Sequence, residues 1–164
     1  MLGGGARFSQ ETISGQNSYQ AEISVDAAYL LQFGSPEKSA GTLALGIRPS
    51  FSWDPTEAVY KGVVFARYYY NFKTVSPFVE INTGYRYKSS FDAINGEEFS
   101  YTESFVLGFK AGGAFYIAPH VTFDTFFFYD DLQSTIHFND NLFPSSKTSD
   151  QSLGLGIGFQ IFLQ

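Results

Sequence analysis

The C-terminal run from Ser152 to Leu163 constrains this chain more than any other stretch. Leu153, Leu155, Ile157, Phe159, Ile161 and Leu163 share one parity, and Ser152, Gly154, Gly156, Gly158 and Gln160 share the other. A strict period of two belongs to a strand and is useless to a helix. One face is greasy and the other has almost no side-chain volume. Such a strand suits a barrel wall whose apolar side meets lipid and whose glycine side lines a narrow lumen.

The same alternation recurs along the whole chain, and eight strands are predicted. The first covers about 2–9, with Leu2, Ala6 and Phe8 opposite Arg7 and glycines, and a polar loop follows over 11–18. The second, about 19–32, sets Tyr19, Ile23, Val25, Tyr29 and Leu31 against Gln20, Glu22, Ser24 and Asp26. The third, about 41–53, sets Leu43, Leu45, Ile47, Phe51 and Trp53 against Thr42, Gly46, Arg48 and Ser50. In the fourth, about 60–70, Arg67 assigns Lys61, Val63, Phe65 and Tyr69 to the charged face and leaves Tyr60, Val64, Ala66, Tyr68 and Tyr70 outside. The fifth, about 77–87, opposes Val79, Ile81, Thr83, Tyr85 and Tyr87 to Glu80, Asn82, Gly84 and Arg86. In the sixth, about 101–116, Phe105, Leu107, Phe109 and Phe115 oppose Ser104, Gly108, Lys110 and Gly112. The seventh, about 121–131, opposes Val121, Phe123, Phe127 and Tyr129 to Asp124, Phe126, Phe128 and Asp130, and the eighth is the C-terminal run.

Segments of roughly ten residues are what a tilted strand needs to cross a bilayer. The connections near Ser35, Thr74 and Pro119 are compact, while those at 11–18, 54–59, 88–100 and 132–149 are mostly longer. Short turns on one side and long loops on the other place both termini in the periplasm. The chain of 164 residues is expected to form one domain over 1–164. It has no cysteine, so neither a disulfide framework nor a thiolate metal site is available. A formal net charge of −6 argues against nucleic acid as a partner. No apolar run is long enough for a transmembrane helix, and the opening Met1 to Gly5 is not a signal peptide, so an exported protein would be represented here in its mature form.

A soluble, lipocalin-like carrier of an apolar ligand would show the same alternation turned inside out. Three features favour the membrane reading. The polar face is rich in glycine, as a narrow lumen requires. Tyr and Trp cluster near strand ends on the apolar face, with Tyr19, Trp53, Tyr60, Tyr87 and Tyr101 at one level and Tyr29, Tyr70 and Phe115 at the other, like two interfacial belts. All four arginines, Arg7, Arg48, Arg67 and Arg86, fall mid-strand on the polar face. With Lys110 they oppose Glu22, Asp26, Glu80 and Asp124, a lumen charge network that must pair or be solvated. The lipid-facing set is Leu45, Ile47, Val79, Ile81, Leu107, Phe109, Phe123, Leu155, Ile157, Phe159 and Ile161.

Phe65-Ala66-Arg67-Tyr68-Tyr69-Tyr70, Ser76-Pro77-Phe78-Val79-Glu80, Thr83-Gly84-Tyr85, 112–119 and the terminal Gly154-Leu155-Gly156-Ile157-Gly158-Phe159 together resemble the small eight-stranded outer-membrane β-barrels of Gram-negative bacteria. The likeness is to the class of outer membrane protein X and the outer membrane protein A transmembrane domain, within the porin-like β-barrel domain group. It covers nearly the whole chain and implies an all-β, antiparallel, up-and-down transmembrane barrel. In such families a terminal aromatic helps assembly, whereas here Phe162 is followed by Leu163 and Gln164. The resemblance carries no chemistry. Lipid A deacylases of this class have a serine two places after the histidine, and here Asn139 follows His137, which removes the nucleophile.

Of the two histidines, His120 reads as a turn or interface residue, and His137, with Asp130, Asp131 and Ser134 nearby in sequence, is where a base could meet carboxylates. No catalytic, cofactor or metal site is expected. The outer loops are acidic, with Glu11, Asp54, Glu57, Asp92, Glu97, Glu98, Glu103, Asp131, Asp140 and Asp150 against Lys61, Lys88 and Lys147. These carboxylates could bridge through Ca²⁺ or Mg²⁺ to lipopolysaccharide phosphates. Glu103 and Asp131 lie on lipid-facing parity, which predicts that strands six and seven extend past the membrane as a ribbon able to pair with a protein partner. The expected molecule is a monomer among membrane lipids and lipopolysaccharide, structural or surface-binding. A narrow passive pore is the first alternative.

Overall fold

The computed structural model describes residues 1–13, 16–35, 38–53, 56–70, 74–91, 98–138 and 145–163. Eight strands run in chain order: β1 (Leu2–Ile13), β2 (Gln16–Ser35), β3 (Lys38–Trp53), β4 (Glu57–Tyr69), β5 (Val75–Phe91), β6 (Glu98–Ala118), β7 (Val121–Phe138) and β8 (Ser146–Ile161). Each pairs antiparallel with its neighbour in sequence, and β1 pairs with β8, so the sheet closes on itself. Closure leaves no sheet edge unpaired, the condition for carrying strands into lipid.

Register fixes the shape. Tyr29 pairs across to Leu45, then Ala66, Ile81, Phe109, Tyr129, Leu153 and Gln10, and arrives back on β2 at Tyr19, a shear of ten residues. With eight strands and ordinary strand spacings this sets a tilt of roughly 40°, inside the range of closed barrels. Pairing between β2 and β3 lapses between Ser24–Ser50 and Ala27–Ile47, where Pro49 has no N–H to give.

The alternation read from sequence is carried into space on every strand. On β7 the inward Thr122, Asp124, Phe126, Phe128 and Asp130 are buried while Phe127 and Tyr129 are exposed. On β8 Leu153, Leu155, Ile157, Phe159 and Ile161 all face outward. The strands are longer than predicted at the end away from the termini. β1 and β2 continue through most of the predicted loop at 11–18, with only 14–15 between them. Likewise β5, β6, β7 and β8 extend to Phe91, Glu98, Phe138 and Ser146, absorbing much of 88–100 and 132–149. Polar residues such as Ser100, Gln133, Ser134 and Thr135 read as loop by composition, yet a strand outside the bilayer can be polar on both faces if its ladder is made. The asymmetry between the two ends of the barrel therefore lies in strand as well as in connections.

Candidate functional site

The lumen is layered. Nearest the termini lies an apolar plug of Met1, Tyr69 and Phe78 with Leu30 and Phe162 packed against it, and Phe126 and Phe128 continue the cluster along β7 beside the charged residues. Tyr69 meets Phe78 at 5.6 Å and Phe162 at 6.0 Å between ring centroids, and Phe78 meets Phe126 at 6.4 Å. The glycines of β8 make room for these rings. A Cβ on Gly156 would run into the ring of Phe126, so the small parity of the C-terminal strand is the space that an inward phenylalanine of β7 occupies.

Over this plug sits the first charge layer. Arg48 donates from Nε and Nη2 to the two oxygens of Asp26, at 2.6 and 2.9 Å, and from Nη1 and Nη2 to the two of Glu80, at 2.7 and 2.8 Å. Arg67 donates from Nε to Glu80 Oε2 at 2.8 Å, from Nη1 to the Tyr69 hydroxyl at 2.8 Å, and reaches Asp124 at 3.3 Å. Lys110 lies 3.4 Å from Glu80. Three cations thus face three anions. Each cation also rests on a ring: Arg48 over Phe65 at 4.5 Å, Arg67 over Phe78 at 4.6 Å, Lys110 over Phe126 at 4.7 Å. Ring faces are negative, so they complement cations where water is scarce.

A second layer lies toward the opposite end. Arg7 is bonded to Glu22 and, at 3.2 Å, to Asp130. Lys61 donates to Asp130 at 2.7 Å and lies 3.7 Å from Glu22. Two cations face two anions, and Arg7 stacks on Phe128 at 4.4 Å. Arg86 is farther toward the mouth, buried, and donates to Gln20 Oε1 at 3.2 Å.

Several placements differ from the sequence reading. Lys61, on the charged face of the predicted fourth strand and also grouped with the outer loops, is a buried lumen residue; Asp130, on the polar face of the predicted seventh strand but outside the expected charge network, is 2% exposed and central to its second layer. Both lie on the inward parity, which was the signal available for them. Asp150, counted as a loop carboxylate, is buried and accepts from Thr148 at 2.6 Å. The inward aromatics were recognised by parity, but their service as platforms for the cations was not. Glu11, Glu98 and the positions 54, 92, 97 and 140 lie outside the residues whose side chains are described.

No protein-family model matches the chain, and no curated protein matches it. Solved structures do. Neisserial surface protein A (NspA) superposes with a TM-score of 0.65 at 16% identity, over 99% of this chain and 96% of that one. The outer membrane enzyme PagL gives 0.65 at 12% identity, over 96% and 98%. Ail, the attachment invasion locus protein of Yersinia pestis, gives 0.50 at 16% identity, over 98% and 96%. The fold is that of the small outer-membrane β-barrels.

On the outside of this outer-membrane barrel fold the apolar residues are exposed in a continuous band. Ile47 is 57% exposed, Ile81 63%, Leu107 56%, Leu155 55% and Phe159 53%; Leu45, Val79, Phe109, Ile157 and Ile161 are likewise exposed, and Phe123 is half-buried against Phe159 with centroids 5.2 Å apart. Tyr19, Trp53, Tyr60 and Tyr87 are exposed toward one end of the band, and Tyr29, Tyr70 and Phe115 toward the other. Tyr101 stands one pleat beyond the row of Tyr60 and Tyr87, stacked on Tyr87 at 5.7 Å and on His137 at 4.7 Å. His137 Nε2 lies 3.8 Å from Glu103 Oε2 on this outer wall. The grouping of His137 with Asp130, Asp131 and Ser134 is not assembled. Asp130 and Ser134 point into the lumen, Ser134 bonded to Ser104 at 2.8 Å, and Asp131 is about 20 Å down the strand from His137.

Proposed function

We propose that the chain is an integral protein of the bacterial outer membrane with both termini periplasmic, a barrel closed to solutes, whose role is structural or surface-binding through its acidic outer end. The observation that carries this reading is the layered lumen: two charge layers, each balanced within itself, stacked on an aromatic plug. A conducting pore needs a continuous wet path, and here guanidinium planes and phenyl rings alternate across the space.

The exterior supports the membrane part of the reading. Tyr19 and Tyr29 on β2 are ten residues apart, which at a tilt of roughly 40° is about 25 Å along the barrel axis, the height of the apolar band on such barrels. Residues between these levels are the lipid-facing set, and the tyrosines with Trp53 and Phe115 serve as interfacial anchors. Beyond the upper level, Glu57 with Lys88 and Glu103 with His137 supply a polar rim facing lipopolysaccharide.

A second reading, a narrow pore, draws on one observation. Arg7 Nε, Glu22 Oε1, Asp130 Oδ1 and both amide atoms of Asn82 are buried without a protein partner, a polarity that buried water would satisfy in the outer half of the lumen. Planar-bilayer recording separates the two. The closed barrel gives no resolved conductance steps, and a double Phe78→Ala and Phe126→Ala variant gains them. Discrete steps from the unaltered protein would overturn the closed reading in favour of the pore.

A further inference from the structure

Among the described glycines Gly62 stands apart, because a Cβ added there would meet nothing within 4 Å. At most of the others an added Cβ would run into a neighbour closer than 3.0 Å, and at Gly113 it would make ordinary contact with Phe115 and Val75. At Gly62 the missing side chain leaves space on the outside of the barrel.

That space belongs to a trench running down β4. Between Tyr60 and Tyr68 the outward residues of this strand, Gly62, Val64 and Ala66, are small or short, and they lie between the taller Leu45, Ile47 and Phe51 of β3 and Ile81 and Tyr85 of β5. Three adjoining clefts of about 790, 550 and 410 Å³ share these residues in sequence, the first and second meeting at Pro49, Gly62, Tyr85 and Phe105, the second and third at Val64 and Thr83. The walls are braced by ring pairs, Phe51 on Tyr60 at 5.1 Å and Tyr85 on Phe105 at 5.8 Å. From Tyr60 to Ala66 the trench is about 20 Å long on the strand, or about 15 Å along the axis, one leaflet of a hydrocarbon core about 30 Å thick.

Its polarity is graded. The lower part is lined outward by Leu45, Val64, Ala66, Ile81 and Leu107, whereas the upper cleft adds Tyr60, Tyr87, Glu103, Gln133 and Thr135. An apolar slot one leaflet long with hydroxyl, amide and carboxylate groups at its outer end matches an amphiphile lying head outward.

We propose that the β4 trench seats a single acyl chain of an outer-leaflet lipid, held there in preference to the rest of the barrel surface. The proposal rests on the membrane reading above. A second barrel packing its own ridge into the slot would need no polar outer end, and the grading therefore favours lipid.

The test is photolabelling of the full chain, refolded in vesicles of phosphatidylethanolamine and phosphatidylglycerol doped with a phosphatidylcholine bearing a mid-chain diazirine, followed by peptide mapping. Label should concentrate on β4 and β5 around Gly62, Val64 and Tyr85. A Gly62→Leu change, which fills open space, should abolish that concentration while label at Leu155 and Phe159 persists. Should that variant fail to fold, Val64→Phe narrows the same slot, and the map of the unaltered protein is decisive alone. Label spread around the circumference in proportion to exposure, or a β4 label unmoved by either substitution, overturns the trench while leaving the barrel in the membrane. Absence of label from β8 as well overturns the membrane reading and the trench with it.

Discussion

Glu80 carries more of the lumen than any other single side chain, because Arg48, Arg67 and Lys110 all converge on it and it is 1% exposed. Removing one member of a buried charge cluster strands its partners in low dielectric, and Glu80→Ala should destabilise the folded barrel by roughly 3–5 kcal/mol. The partly exposed pair of Glu57 with Lys88, 2.6 Å apart, has water to fall back on, and Glu57→Ala should cost no more than about 1 kcal/mol. Urea unfolding of both variants in lipid vesicles measures the contrast, and equal losses would mean that the lumen is far wetter than its packing implies. Gly156 is limited by volume instead. Any side chain there meets the Phe126 ring, and Gly156→Val should cost roughly 1–3 kcal/mol by overpacking in the same assay.

At the level of the strand, one parity faces apolar surroundings and the other a crowded lumen, so substitutions one residue apart on β8 should fail for different reasons. Ile157→Arg places a charge on the apolar band and should lose roughly 2–4 kcal/mol of stability in vesicles. An unchanged stability in vesicles would mean that position 157 does not face lipid. The parity of every strand was legible in the sequence because a closed barrel forces strict alternation. Where the strands ended was not legible at the outer end, since Ser100, Ser134 and Thr135 are as suitable for a loop as for a solvated ladder. The residues mislaid by sequence reading follow from the same cause. Lys61 and Asp150 stand near the outer ends of their strands, where charge reads as loop character although parity points inward, whereas Asp130 is mid-strand in β7 and shares the polar parity of Asp124. What no sequence pattern expressed was the trench on β4, because it arises from neighbours brought together by register, with Pro49, Gly62, Tyr85 and Phe105 in one row.

For the molecule as a whole, one arrangement governs the rest: the exposed apolar band is covered by lipid and the charged side is the interior. A water-soluble protein with Ile81, Leu107, Leu155 and Phe159 each about half exposed or more would present its largest apolar surface to solvent and aggregate. The direct measurement is far-ultraviolet circular dichroism combined with heat-dependent gel mobility, on the purified chain diluted from urea into plain buffer, detergent or lipid vesicles. Sheet signal and a mobility that shifts on boiling are expected in detergent and vesicles, with aggregation in buffer. A stable, soluble sheet protein in plain buffer would overturn the lipid-facing assignment.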